Sequence, residues 1–232
     1  MSEGHWIAEK VIAGHAMTFN MDTLVTMWAA MGFLVVVAFI ATRKMSIFPT
    51  KLQFVFEKII DAFAGLSKQL MPQEGTKHVP ILVSLFLFIL TANLMGQLPL
   101  RMIQLKHGEI ASPTNDINLT AAMAIIVLIY YICAGFAKKK FKFFLHDLKP
   151  MSIFMALLEV MDMITRPLTL SLRLFGNILA GECLVAALLG ICAYVLPLPI
   201  MFFEVMVACV QALVFTLLTM VYISLAVSEG EH

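Results

Sequence analysis

The chain has 232 residues, of which 61% are hydrophobic and only 13% charged, and its mean hydropathy is +0.92. That composition excludes an ordinary soluble domain and indicates an integral membrane protein. A formal net charge of about +1 gives no electrostatic reason to expect nucleic acid or a strongly acidic partner.

Uncharged runs cover Thr23 to Thr42, Val79 to Leu100, Ile117 to Ala137, Cys183 to Phe203 and Val205 to Ser228. Each approaches the roughly 20 residues that cross a hydrocarbon core. Residues 1–22 form an external N-terminal segment carrying Glu3, Glu9 and Lys10 rather than a basic cluster, and the run that follows is too long for a secretory signal. It is expected to persist as the first membrane helix.

Residues 45–78 then read as a cytoplasmic interfacial segment. Leu52, Phe56, Ile59, Ile60, Phe63, Leu66 and Leu70 share one arc of a helix, with Lys51, Glu57, Lys58, Asp61 and Lys68 opposite. Such a helix lies on the membrane surface or packs on the transmembrane bundle. Pro72, Gly75 and Pro80 close the segment. The stretch from Pro99 to Asp116 has the turn chemistry of an external loop, and Pro197 with Pro199 makes a second external turn.

Basic residues set the orientation. Arg43, Lys44, Lys51, Lys58, Lys68 and Lys77 follow the first run, and Lys138, Lys139, Lys140, Lys142 and Lys149 follow the third. These loops read as cytoplasmic by the positive-inside rule, which places the N-terminus outside and, after five crossings, the C-terminus inside. From Ser152 to Leu196 the pattern is helical throughout. At 1.5 Å per residue it would reach about 68 Å, more than twice the hydrocarbon thickness. Either Pro167 breaks it or it crosses steeply tilted. The expected fold is therefore a single all-α membrane domain over residues 1–232. It has five transmembrane helices and one interfacial amphipathic helix, with the last two membrane helices long and oblique.

Residues 152–228 carry the ionisable groups of interest. Glu159, Asp162, Arg166, Arg173 and Asn177 fall within an arc of about 60° on a helical wheel. Glu182, nine residues after Arg173, projects from about the opposite side and some 13 Å further along the axis. Glu204 and Gln211, seven residues apart, share a face of the final helix. Arginine cannot shed its charge, and its cost at the centre of a membrane helix is at least about 2.5 kcal/mol. Ionisable groups at such depth mark ion pathways or proton relays. Glu159, Asp162 and Arg166 are equally accounted for as an ion-pair ladder at the cytoplasmic edge. Asn177 and Gln211 are equally accounted for as interhelical hydrogen bonding. No cofactor or metal site is expected: the cysteines lack CxxC spacing, and the histidines, at termini and loop flanks, lack HxxxH or HExxH.

The run Arg166-Pro167-Leu168-Thr169-Leu170-Ser171-Leu172-Arg173-Leu174-Phe175-Gly176-Asn177-Ile178-Leu179-Ala180-Gly181-Glu182 resembles the signature of subunit a of the F-type rotary ATP synthase. Gln211 to Ser224 resembles that family's last helix, and Thr91 to Pro99 and Asp116 to Thr120 are weaker matches. The resemblance covers most of the chain beyond residue 80. It implies a stator subunit in a bacterial inner membrane that carries protons or sodium ions to and from a c-ring. Peripheral-stalk b subunits and membrane lipid are the other implied partners. Arg173 matches the stator arginine, and Glu182 and Gln211 belong to the polar path; Asn177 joins these candidates through its place on the polar stripe of the helix. Where the family carries histidine or glutamate, this chain has Glu204. Two other classes compete. A self-contained transporter for an anionic substrate would use Arg173, Glu182 and Glu204, but no inverted repeat is visible. An intramembrane hydrolase would need a nucleophile and base, and the membrane runs hold neither histidine nor GxSxG.

Overall fold

The computed structural model describes residues 7–12, 15–43, 49–97, 113–139, 150–191 and 197–228; within these, side chains are described except at 7–19, 97, 139, 150–160, 163, 189, 191, 197–198 and 228. Much of the basic census, including Lys44, Arg101, Lys106, Lys140, Lys142 and Lys149, lies outside the described residues. So does the side chain of Glu159.

Strands β1 (Ile7–Ile12) and β2 (His15–Asn20) pair antiparallel, from Ile7 opposite Asn20 to Ile12 opposite His15. This ribbon was not expected, since Ile7-Ala8-Glu9-Lys10-Val11-Ile12 lacks the strict alternation that marks a half-buried strand. Helix α1 (Met21–Thr42) follows directly. The side chain of its N-cap residue, Asn20, donates instead to Asp116 Oδ2 at 2.8 Å. Thr26, Ala30 and Ala41 are the buried residues of α1, so it packs on the bundle along a narrow stripe of small side chains. Trp28, Phe33, Val35, Val36, Phe39 and Ile40 point outward, as expected for lipid contact.

Helix α2 (Lys51–Leu70) begins at Thr50, whose side chain accepts from the Gln53 amide at 3.4 Å. Its apolar arc divides. Phe63 is buried and Phe56 and Ile59 half-buried toward the bundle, while Leu52, Ile60, Leu66 and Leu70 remain exposed. The helix therefore packs on the bundle and still presents an apolar rim. Ser67 Oγ donates to the Gly75 carbonyl at 2.7 Å and Ser224 Oγ to the Leu70 carbonyl at 3.0 Å. These bonds tie the turn after α2 to both neighbouring helices. Pro80 does not end the preceding segment but lies inside α3 (Gly75–Gln97), near its start, where the only bond forfeited is that to the Thr76 carbonyl.

A 3-10 turn, Pro113–Asn115, leads into α4 (Ile117–Lys139), which Asp116 caps by accepting from the Asn118 amide at 2.9 Å. Helices α5 (Pro150–Ile191) and α6 (Pro197–Ser228) complete the domain. Pro167 does not break α5. Forty-two unbroken residues reach about 63 Å, so the helix either crosses obliquely or extends well beyond the hydrocarbon.

Among the described residues, five helices are long and apolar enough to span a membrane: Met21–Thr42, Gly75–Gly96, Ile117–Lys138, Ile164–Leu188 and Pro199–Val227. The fourth differs from the uncharged run Cys183 to Phe203, which straddles the end of α5 and the start of α6. Arg166, Arg173 and Glu182 interrupt the hydropathy of the real span and shift an uncharged run toward the turn. One core cluster joins Phe63, Val79, Leu82, Tyr131, Met220 and Ile223 from α2, α3, α4 and α6. A second joins Ile89, Met123, Val127, Leu170, Leu174 and Phe215 from α3 to α6. Leu170 and Leu174 anchor one face of α5, which fixes where the opposite face points.

Candidate functional site

With Leu170 at 1% and Leu174 at 0% exposure, the middle of α5 is rigidly seated against its neighbours. Arg173 is carried on the outer side of that helix and is exposed, among the exposed apolar residues Leu168, Leu172 and Leu179. It forms no ion pair with any described carboxylate. Among the described residues, no carboxylate compensates this guanidinium at the oily surface of the bundle.

The remaining sequence-predicted residues gather on the α5–α6 seam. Asn177 Nδ2 donates to Gln211 Oε1 at 2.6 Å, and Gln211 is 5% exposed. Seven residues earlier on α6, the Glu204 side chain lies against Gly181. A Cβ built on that glycine would sit 2.6 Å from Glu204 Oε1. Glu204 and Gln211 thus both bear on α5, as their spacing on one face predicts. Glu182, the residue after Gly181, is half-buried, and its Oε2 accepts from Asn115 Nδ2 at 2.6 Å. Glu204 thus meets α5 one residue before Glu182, whose own carboxylate is held by Asn115 from the turn before α4. Arg173 stands about 13 Å away along the helix axis from Glu182, on the other side.

At the other end of the polar stripe, Asp162 and Arg166 form an ion pair at 3.3 Å, and the Arg166 guanidinium lies 5.2 Å from the centre of the Tyr222 ring. This is one pair of the ladder that the spacing allows, of small energetic weight at this exposure; its third expected member, Glu159, has its side chain outside the described residues.

Several polar contacts were not singled out in the sequence. Asn115 reaches Glu182. Thr120 and Ser171 hydroxyls, both buried, lie 3.2 Å apart between α4 and α5. Buried Asn93 donates to the Ala208 carbonyl at 3.4 Å, linking α3 to α6. Asn93 was legible as an amide inside an apolar run. Asn115, inside a loop rich in turn residues, was not, because such loops hold asparagine for conformational reasons alone.

Fold and site together define a multi-pass, all-α membrane protein with an ionisable seam between its last two helices and a cation exposed beside it. Residues 24–224 match the ATP synthase A chain family. The chain is 42% identical, over 211 residues, to ATP synthase subunit a of Gloeobacter violaceus (strain ATCC 29082 / PCC 7421), an alignment that covers 90% of this chain and 85% of that protein. The chain belongs to the ATP synthase A chain family. It is accordingly a multi-pass membrane component of an ATP synthase complex, with a stator role in ion translocation.

Proposed function

We propose that this chain supplies the two half-channels by which protons or sodium ions reach and leave the carboxylates of a rotating c-ring, and that Arg173 separates them. A protonated rotor carboxyl is neutral and can face lipid. Its ionised form is costly there and is favoured beside a fixed positive charge. Arg173 would hold the passing site ionised and repel cations between the half-channels, so that ions ride the rotor instead of leaking straight across. Glu182, Glu204, Gln211 and Asn177 form the polar access path, and residues 152–228 act as the ion-pathway hairpin. Peripheral-stalk b subunits are the other protein partners. The distribution of lysine and arginine supports an N-terminus outside and a C-terminus in the cytoplasm of a bacterial inner membrane.

The observation that carries this reading is the exposure of Arg173 on an outward face of α5, without a described same-chain counter-ion. A rotor helix docking there would bring the missing carboxylate. Cysteine scanning tests it. A cysteine replacing exposed Leu172 should form an oxidative cross-link with a cysteine placed beside the rotor carboxyl of a small ring-forming protein, whereas one replacing buried Leu170 should not. Cross-linking from Leu170 but not from Leu172 would contradict the assignment.

A further inference from the structure

Helix α5 meets an element outside the α5–α6 hairpin at its most interesting carboxylate. Asn115, at the end of the 3-10 turn, donates through Nδ2 to Glu182 Oε2 at 2.6 Å across 67 residues of sequence. That length belongs to the short, charge-assisted class of N–H···O bonds. The reverse amide orientation would set an oxygen against a carboxylate, so the donor role is fixed by the acceptor it meets. The other end of the amide, Oδ1, is buried and accepts no hydrogen bond from the described residues.

The turn is held in place. Asp116 Oδ2 accepts from Asn20 Nδ2 at 2.8 Å and Thr23 Oγ1 at 3.2 Å on α1, and its Oδ1 accepts from the Asn118 amide and side chain at 2.9 and 3.0 Å. Four bonds occupy both oxygens of Asp116. Thr114 is fully buried. The backbone that carries Asn115 is therefore clamped from α1 and α4 at once, and its amide has little freedom to leave Glu182.

We propose that Asn115 is a positioning residue for Glu182, and that the turn Pro113–Asn115, fixed by Asp116, is the support that holds this amide against the carboxylate. The chemistry suits an uncharged donor. Asp116, next to Asn115, has its oxygens engaged by Asn20, Thr23 and Asn118, Glu204 reaches Gly181 from α6, and Arg173 projects from the far side of α5. A lysine at position 115 would hold Glu182 permanently ionised. An amide orients the carboxyl while leaving both of its protonation states accessible, which a group that takes up and releases ions requires. The buried Oδ1 leaves the same side chain an acceptor for a proton-bearing group beside Glu182.

The inference rests on Glu182 belonging to the ion path, and the test separates the two. ATP-driven ion uptake is measured in inverted membrane vesicles containing the whole ATP synthase, for Asn115→Ala, Asn115→Gln, Glu182→Asp, Glu182→Gln and the double variant Asn115→Gln with Glu182→Asp. Asn115→Ala should lower the initial rate about tenfold, the scale of one hydrogen bond to a charged group, with co-purification of the complex unchanged. Asn115→Gln and Glu182→Asp should each be impaired. The double variant adds a methylene to one partner and removes it from the other, and should recover to within about threefold of the parent, since residues in contact couple. An Asn115→Ala complex pumping at the parent rate, or a double variant no better than the poorer single one, would overturn the proposal. Should Asn115→Ala fail to assemble, recovery or its absence in the double variant decides alone. Parent-rate pumping in Glu182→Gln removes Glu182 from the path and the proposal with it. Loss in Glu182→Gln with full pumping in Asn115→Ala removes Asn115 alone.

Discussion

Gly181→Ala isolates the contact between α5 and α6, the helices of the proposed ion path. The added methyl would lie 2.6 Å from Glu204 Oε1, 3.0 Å from its Cδ and 3.4 Å from its Cγ. Ordinary contact begins near 3.4 Å, so the carboxyl oxygen must retreat by about 0.8 Å. The obstacle is the far end of a flexible side chain, and leaving its rotamer costs about 0.5–1.5 kcal/mol. Replacing glycine by alanine inside a helix returns about 0.8–1.0 kcal/mol. The two nearly cancel, so assembly and thermal stability of the complex should stay within about 1 kcal/mol of the parent. Function should not. If the seam is the proposed ion path, displacements near 1 Å there carry large kinetic penalties, and ATP-driven pumping in inverted vesicles should fall about tenfold or more. Adding Glu204→Asp, which draws the carboxyl back from α5, should relieve the clash and move the rate upward. A Gly181→Ala complex that assembles and pumps at the parent rate would refute the claim that the seat of Glu204 on α5 matters to transport.

Gly75→Ala should behave in the opposite way. Its new methyl would collide with the Ser67 carbonyl, a backbone group that cannot swing aside. A loss of about 1–3 kcal/mol is expected, read as a lower melting temperature of the complex and less chain in the membrane. Asn177→Leu removes the donor to buried Gln211 and should destabilise by about 0.6–1.7 kcal/mol, the range for hydrogen bonds between membrane helices. Combining it with Gln211→Leu should recover part of that loss in thermal unfolding, because the pair is then apolar on both sides.

Periodicity was sufficient for most of the scaffold, and particular residues show where it stopped. The amphipathic arc of α2 was visible because Phe56, Ile59 and Phe63 recur at helical spacing, although only packing reveals that Phe63 is buried while Leu66 is not. The shared face of Glu204 and Gln211 follows from seven residues being nearly two turns. The fourth span was misplaced by hydropathy, since Arg173 and Glu182 lie inside it and the uncharged run beyond them includes the turn into α6. A wheel can say that Arg173 and Glu182 diverge. It cannot say that Leu170 and Leu174 bury one side of α5 and leave Arg173 on the surface, because that depends on α4 and α6. The bond from Asn115 to Glu182 spans 67 residues, and no local pattern encodes a contact of that range.

Arg173→Ala in the assembled complex addresses the central claim most directly. ATP-driven ion uptake and ATP synthesis in inverted vesicles should both be lost, while an imposed ion gradient still dissipates through the complex. Arg166→Gln, which removes the ion pair with Asp162 and the guanidinium's contact with the Tyr222 ring, should keep pumping within about tenfold, as the small weight of such exposed contacts implies. Coupled pumping that survives in Arg173→Ala would contradict the account.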